Sequence, residues 1–347
     1  MSVRTALLAL PAAVAALALV ASAPGANSPG DPCTTEGAIA DLNGGKIQCV
    51  GGTWRPYAGS GPAQPTSPAT STVKTAAIFT AVGVALSQDT FSSTGKQVAD
   101  VTAVRLTDGR VRLYAFVNPD GIHSAISTDA TGTRFVAEPG RRITWAPGGQ
   151  TRAYALGNGR VRLFYLDAGS IKSAISSDGL AFTDEGVRIT TAQAGFEPGA
   201  ISIVKVGTRY RGYFSNLEKP GDSRTRVART ATSPDMLTWT VGPYIAGASG
   251  SIKSGASHPF AITNGKTIAL YYNGDRGSFY GTLRATSTSG VTFSNERAIL
   301  KGAGDPQLVR LSGVKTLLYY GDKVVGKGFG IRVGRTTADP VTGMTKP

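Results

Sequence analysis

Short apolar and polar stretches alternate along the chain from residue 100 onward, and turns that contain glycine separate them. Each repeat has a short apolar strand, a glycine turn and a second strand in which apolar and polar residues alternate, as in Val111–Val117. A period of two is typical of β-strands with one buried face. One glycine recurs in the first turn of every repeat, at spacings of 48 to 58 residues: Gly109, Gly159, Gly207, Gly265 and Gly313. This period predicts an all-β fold, a β-propeller with five blades.

The end of each repeat and the start of the chain indicate how the ring is held together. Four repeats end in a turn with an aromatic residue, which we expect to pack between adjacent blades: Phe135, Phe182, Trp239 and Phe293. The fifth repeat has no clear outer strand, and this would leave an open sheet edge. The apolar stretch 76–86 precedes the first repeat. We therefore predict that this N-terminal strand pairs into the last blade and closes the propeller.

Residues 1–23 have the pattern of a secretory signal peptide. Arg4 precedes an apolar stretch, and small residues at 21–23 offer a cleavage site. A membrane anchor is the alternative, but Pro11 interrupts the stretch and no cluster of charged residues follows it. We therefore predict a secreted, extracellular protein with no membrane segment after cleavage.

A small cysteine-containing module and a linker separate the signal peptide from the propeller. Cys33 and Cys49 are the two cysteines of the chain, and in an oxidising compartment they are expected to form a disulfide. Residues 24–57 are therefore predicted to be a disulfide-closed hairpin, which either binds a glycan through Trp54 and Tyr57 or is a structural addition. Residues 58–75 are rich in Gly, Pro, Ser and Thr, as flexible linkers are. The propeller is assigned to residues 76–347.

The charge of the chain is strongly basic. The formal net charge is +14, and residues 1–75 contribute four Lys or Arg against three Asp or Glu, so the excess lies in the repeats. Such a charge favours anionic partners, although many of the arginines alternate with apolar residues as solvent-facing strand positions do. No nucleic-acid-binding motif is present, so nucleic acid is not an expected partner. Two cysteines and two histidines cannot build a usual zinc site.

Several short motifs resemble those of the five-bladed glycosidases of glycoside hydrolase family 43, the arabinanase and xylosidase type, and more loosely the related invertases. Asp100 opens the inner strand of the first repeat, and Glu197-Pro198 opens that of the third. Ser257-His258-Pro259 resembles the His-Pro motif of the fourth blade. The family's Trp-Ala-Pro-Asp of blade two appears as Trp145-Ala146-Pro147-Gly148, without the carboxylate, and Gln150 is the nearest polar residue. Asp305-Pro306 opens the fifth repeat in the same register.

The resemblance implies a secreted, monomeric glycoside hydrolase that acts on a polysaccharide or other glycan, and the basic charge of the chain favours an anionic one. Asp100 would be the general base and Glu197 the general acid, the two carboxyls that glycoside hydrolysis requires. His258 would shape the floor of the site, with an axial calcium ion or water as the only cofactor that the resemblance suggests. Asp305, Gln150 and Trp145 complete the predicted surroundings.

Two alternatives remain open. A non-catalytic propeller could bind glycan or cell wall through the same funnel, and Gly148 in place of the family's Asp favours it. A sialidase-like activity would need S-x-D-x-G-x-T-W turns, and the S-x-D-G-x-x-F turn of this chain is one residue too short.

Overall fold

The computed structural model describes residues 32–36, 38–42, 45–56, 79–92, 97–143, 149–216, 228–247, 256–276, 279–311 and 315–343. The predicted signal peptide and the predicted linker lie outside the described residues, as do Tyr57, Trp145 and Gly148. The chain divides into two compact units, residues 1–71 and 72–347. Among the described residues no helix is long and apolar enough to cross a membrane.

The first unit is a small antiparallel sheet with the strand order β1 (Ile39–Leu42), β2 (Gly45–Val50) and β3 (Thr53–Pro56). The predicted disulfide between Cys33 and Cys49 is formed. Trp54 is only 9% exposed and packs against Cys49, Cys33 and Ala38. Its indole therefore belongs to the core of this unit, which counts against the idea that Trp54 is an exposed sugar-binding platform.

The second unit is a five-bladed β-propeller, as predicted, and each blade is an antiparallel sheet of four main strands. Within each blade the strands are given in order from the inner one. Blade one consists of β5 (Gln97–Arg105), β6 (Val111–Asn118), β7 (Gly121–Ser127) and β8 (Phe135–Glu138), and blade two of β9 (Gly149–Gly157), β10 (Arg160–Asp167), β11 (Ser170–Ser176) and β12 (Thr183–Ile189). Blade three consists of β13 (Pro198–Val206), β14 (Arg209–Asn216), β15 (Ala228–Ser233) and β16 (Thr240–Tyr244).

The fourth blade carries one extra short strand at its outer edge. Its strands are β18 (Ser257–Thr263), β19 (Ile268–Asp275), β20 (Tyr280–Ser287) and β21 (Thr292–Lys301), and β17 (Ala246–Gly247) pairs in parallel with β21. Two short helical segments lie outside the sheets, a 3₁₀ helix over Gln88–Phe91 and α1 (Thr191–Ala194).

The fifth blade is completed by the N-terminal strand. Its order is β22 (Gly304–Arg310), β23 (Thr316–Val324), β24 (Gly328–Thr336) and then β4 (Thr80–Leu86). Strand β4 is antiparallel to β24, with Leu86 opposite Ile331 and Thr80 opposite Arg335. The predicted closure is confirmed, and it covers an edge that would otherwise expose unpaired backbone groups.

The inner strands surround the axis and run in the same direction. They contact one another in the order β5, β9, β13, β18, β22 and back to β5. Thr151 donates from Oγ1 to the carbonyl of Asp100 at 2.7 Å, and the amide of Ala153 donates to Oγ1 of Thr102 at 2.8 Å. From the first hydrogen bond to the second, the position advances by two residues in the same direction along both strands, so β5 and β9 are parallel. We call the end where the inner strands begin the site face, and the end with the turns from inner to second strands the hairpin face.

Neighbouring blades are joined by tyrosines of the second strands. Their hydroxyls donate to backbone carbonyls in the next blade, and their rings lie edge-on to the aromatic residue that ends that blade's repeat. The hydrogen bonds are Tyr114 to Gly179 at 2.8 Å, Tyr213 to Gly290 at 3.0 Å and Tyr319 to Gly132 at 2.7 Å, and the ring partners are Phe182, Phe293 and Phe135. Trp239 packs edge-on against Phe164 of the preceding blade. The four repeat-ending aromatics thus pack between blades, as the sequence predicted.

Candidate functional site

The five inner strands share an irregularity near their first residues. In each one the pairing with the second strand shifts register at a β-bulge, and the first residue of the bulge faces the same end of the axis. These residues are Asp100, Gln150, Gly199, His258 and Asp305. The four that have a side chain adopt positive φ angles between 47° and 52°. Left-handed backbone is unfavourable for residues other than glycine, and bulges that hold it are frequent next to functional sites.

Three of these side chains converge at the site face. His258 Nε2 lies 3.7 Å from Asp100 Oδ1, and His258 Nδ1 lies 3.5 Å from Asp305 Oδ1. The side chains are 12–15% exposed, so they are nearly buried but reachable from one side. We call Asp100, His258 and Asp305 the axial cluster.

Each carboxylate of the axial cluster accepts a hydrogen bond from a residue outside the cluster. Asp100 Oδ2 accepts a hydrogen bond from the backbone amide of Gln150 at 2.9 Å. Asn273 donates from Nδ2 to Asp305 Oδ1 at 3.0 Å, and its Oδ1 accepts the amide of Asp305 at 2.8 Å. Asn273 is only 4% exposed. Sequence reasoning missed Asn273 because it lies near the end of the apolar second strand β19, just before a turn, where an ordinary turn residue is also expected.

A buried arginine lies beneath the cluster. Arg152 is 1% exposed, and it donates from Nη1 to the carbonyl of Thr151 at 2.9 Å and from Nη2 to that of Pro259 at 3.4 Å. Pro259 belongs to blade four, so the guanidinium links blade two to blade four across the axis. Arg152 was not among the predicted site residues. Its only sequence signal is its position two residues after Gln150, which places it one step deeper on the same strand.

The surroundings of Asp100 make its carboxyl a weaker acid than that of an ordinary aspartic acid. Burial raises the pKa of Asp100 above its ordinary value, and the neighbouring charge of Asp305 raises that pKa further. His258, the amide of Gln150 and Arg152 act in the opposite direction without cancelling the rise. Burial also lowers the pKa of Arg152. A titratable group perturbed in this way within a cluster is characteristic of functional sites.

Gln150 and Gly199 occupy the matching positions of blades two and three. The side-chain amide of Gln150 lies against Gly199, and a Cβ at position 199 would collide with Gln150 Oε1. Glycine therefore makes room for the Gln150 side chain, and the axis receives a neutral amide from blade two and no side chain from blade three.

Glu197 lies at the rim and not in the axial cluster. It immediately precedes β13, it is half-buried, and its Cγ and Oε1 approach Gly169 in the turn between β10 and β11. Within the described part of the chain it makes no hydrogen bond or ion pair. The structure thus brings together Asp100, His258, Asp305 and Gln150 from the predicted set, while Glu197 stands two residues before the bulge position and Trp145 lies outside the described residues.

The axial cluster has the composition of a cation site. One ligand atom from each of its three residues can be chosen so that all lie within 4.8 Å of one another. Calcium takes oxygen ligands at about 2.3–2.6 Å, so ligands around one ion stand no more than about 5 Å apart. The spacing of these atoms therefore suits either a cation coordinated by the three residues or a water molecule that donates hydrogen bonds to both carboxylates.

Comparison with solved structures identifies the architecture. A β-xylosidase/α-arabinofuranosidase of family 43 from a compost microbial metagenome, solved with xylotriose in a calcium-free form, is 17% identical, covers 76% of this chain and 96% of its own, and has a TM-score of 0.52. The fold is that of the family 43 glycoside hydrolases.

Two further structures agree with this assignment. A family 43 enzyme from Xanthomonas citri in complex with xylose is 15% identical over 74% of this chain and 90% of its own, with a TM-score of 0.52. An endo-1,4-β-xylanase from Bacteroides thetaiotaomicron is 15% identical over 68% and 94%, with a TM-score of 0.51. No protein-family model matches the sequence, and no curated protein is significantly similar to it. At these identities the likeness establishes the fold.

Proposed function

We propose that the protein is an extracellular, monomeric glycoside hydrolase that cleaves a polysaccharide at the site face. The observation that carries this proposal is the axial cluster, in which a nearly buried carboxyl of raised pKa meets an imidazole and a second carboxyl at the site face. The solved structures with this fold include enzymes in complex with xylose and xylotriose. Export is supported by the signal-peptide pattern of residues 1–23.

Asp100 acts as the general base. Its Oδ2 is held by the amide of Gln150, and its Oδ1 faces the cluster. It takes a proton from a water molecule while the water oxygen bonds to the anomeric carbon. A carboxylate whose pKa is raised towards the working pH is a stronger base than a solvent-exposed one, as long as it is ionised.

Glu197 acts as the general acid and gives its proton to the glycosidic oxygen as the bond from that oxygen to the anomeric carbon breaks. Its position at the rim, beside the turn that contains Gly169, places it on the same face as Asp100. An inverting reaction needs about 6.5–9.5 Å between the two carboxyls, to leave room for the water. The sugar that is cleaved therefore lies between the axial cluster and the rim of blade three.

The remaining cluster residues position Asp100. His258 separates the two carboxylates, and Asn273 fixes Asp305. A cation or water held by the cluster would orient the carboxylates and stabilise negative charge. Gln150, on blade two, donates its backbone N–H to Asp100, and its own side chain is neutral.

Hydrolysis of a panel of polysaccharides and aryl glycosides tests the proposal. The wild type is compared with Asp100→Asn and Glu197→Gln, and Asp108→Asn on the hairpin face serves as the control for loss of a carboxylate. We expect a fall in rate of about 10²–10⁴-fold for each site variant, the usual effect of losing a general acid or base, and unchanged activity for Asp108→Asn. Wild-type activity with an unchanged Glu197→Gln rate would show that another residue is the acid.

A glycan-binding propeller without catalysis is the second candidate. The neutral Gln150 at the blade-two position and the absence of any side chain at Gly199 favour it, because among the described bulge residues only those of blades one and five bring carboxylates to the axis. If no substrate is cleaved and wild type and Glu197→Gln retain the same glycan equally, the binding function is correct and the catalytic one is wrong.

A further inference from the structure

The hairpin face carries an unusual concentration of exposed cations. Lysines and arginines occur in or beside the turn between inner and second strands of every blade, and the exposed ones are Arg105, Arg160, Lys205, Arg209, Lys266, Arg310 and Lys315. The same five turns contain one acidic residue, Asp108, which is paired with Arg110 at 2.7 Å. Because the inner strands are parallel, these turns share one end of the axis. These inner turns therefore present a ring of positive charge, while Asp129, Asp178 and Asp235 lie in the turns between third and fourth strands at the same end.

These cations differ from those of the site face in their pairing. None of the seven forms an ion pair with another described residue. On the site face, five cations are matched by acidic neighbours in the pairs Arg141–Asp120, Lys172–Asp167, Arg276–Glu296, Lys327–Asp89 and Arg332–Asp322, while the exposed Lys301 and Lys323 form no ion pair with another described residue.

Two grooves on the hairpin face lie between neighbouring blades. One, with a volume of about 230 Å³, runs between blades one and two and is lined by the exposed Arg105 and Arg160 together with Asp108 and Asp178, while Arg112, which also lines it, is paired with Glu138 at 2.8 Å. The charge of Asp108 is matched by Arg110. Asp178 accepts hydrogen bonds from the amides of its own turn, and these lower its pKa. The second groove, of about 290 Å³, continues between blades two and three and contains Lys205.

We propose that the hairpin face binds an acidic polysaccharide whose repeating units carry carboxylates. Guanidinium groups suit carboxylates because their donors form paired hydrogen bonds, and the adjoining grooves give a linear polymer a continuous path past Arg105, Arg160 and Lys205. This surface is distinct from the axial cluster, and its binding does not depend on whether that cluster is catalytic.

The aromatic residues of the second groove argue against a single-stranded nucleic acid as the partner. Single-stranded nucleic acids bind on exposed aromatic faces where bases can stack. Lys205 already lies over the ring of Tyr210, 6.0 Å from its centroid. Tyr154 is held by hydrogen bonds of its hydroxyl to β13 and lies edge-on to Phe164. Neither ring is free to act as a stacking platform.

Binding of polygalacturonate by the full secreted chain tests the proposal, with dextran as the neutral polymer and duplex DNA as the competing polyanion. The double variant Arg160→Gln/Lys205→Gln is compared with Lys301→Gln/Lys323→Gln, which removes the same charge from the site face. We expect the first to bind about fivefold more weakly, from the modest contribution of each exposed charge. The second should bind as the wild type does. Binding of the wild type should weaken with salt, and dextran should not bind.

Three outcomes would overturn the proposal. Equal weakening in both double variants would mean that only the net charge matters. Unchanged binding in Arg160→Gln/Lys205→Gln would place the polymer elsewhere. Tighter binding of duplex DNA than of polygalacturonate at the same salt concentration would assign the face to nucleic acid.

Discussion

The hydrogen bond between Tyr319 and Gly132 joins the last blade to the first, so its loss probes ring closure directly. The hydroxyl of Tyr319 donates to the carbonyl of Gly132 at 2.7 Å, and both residues are buried. The ring of Tyr319 lies edge-on to Phe135, with 5.9 Å between centroids. A Tyr319→Phe substitution keeps this ring contact and removes only the hydroxyl, which leaves the buried carbonyl without a donor.

The expected cost follows from that buried carbonyl. An unsatisfied buried polar group costs about 1–3 kcal/mol, and we expect about 1.5 kcal/mol for this neutral pair. For a domain of this size 1 kcal/mol corresponds to about 2–4 °C, so Tm should fall by about 3–6 °C. Burial raises the pKa of Tyr319 well above its ordinary value, so the hydroxyl stays protonated. The effect should therefore be the same at pH 6 and pH 9.

Calorimetry and chemical denaturation measure this difference, and the chain provides matched controls. Tyr280 is 47% exposed, so Tyr280→Phe should be neutral. Tyr114→Phe and Tyr213→Phe lose the same kind of hydrogen bond, of 2.8 and 3.0 Å, at interfaces within the ring. If Tyr319→Phe stays within about 0.5 kcal/mol of the wild type while Tyr114→Phe is destabilised, the closing interface does not belong to the cooperative unit and the reasoning fails.

Two predictions concern the protonation of Asp100. In Asp305→Asn the neighbouring negative charge that raises the pKa of Asp100 is gone. The acid limb of the pH–rate profile should therefore move to lower pH. An acid limb that does not move, or one that moves equally in the distant Asp322→Asn variant, would contradict this. Because burial raises the pKa of Asp100 in the folded state, its ionisation opposes folding as the pH rises through that pKa. Asp100→Asn should therefore be more stable than the wild type at pH 7, and asparagine also tolerates the left-handed backbone at this position. Urea titrations should show this gain shrinking as the pH falls from the raised pKa of folded Asp100 to its ordinary value of 3.8, with no ionisation-dependent gain left below 3.8. A gain that is constant with pH would show that ionisation is not its cause.

The blades could be predicted from the sequence because their pattern is local and repeated. Alternation with a period of two, glycine turns and the aromatic at the end of each repeat define the strands without knowledge of long-range contacts. The pairing of β4 with β24 joins residues nearly 250 positions apart. It could still be predicted, because a blade that lacks an outer strand leaves an edge that some other segment must cover.

The site could be predicted only as far as strand position determines it. Asp100, His258 and Asp305 open their repeats in the same register, and the structure brings them together. Asn273 and Arg152 could not be found this way, because their roles depend on side-chain direction past a β-bulge and on contacts across the axis. Glu197 also opens its strand, but it precedes the bulge by two residues, and Gly199 occupies the position that faces the axis.

The arrangement of charge gives the two ends of the propeller different chemistry. At the site face two carboxylates, Asp100 and Asp305, stand on either side of His258, and one buried guanidinium, that of Arg152, lies beneath them. Glycoside hydrolysis develops positive charge at the anomeric carbon, which such a site stabilises. An acidic polysaccharide held by the hairpin face, as we propose, would anchor the protein while the axial cluster acts on a glycan chain at the opposite end.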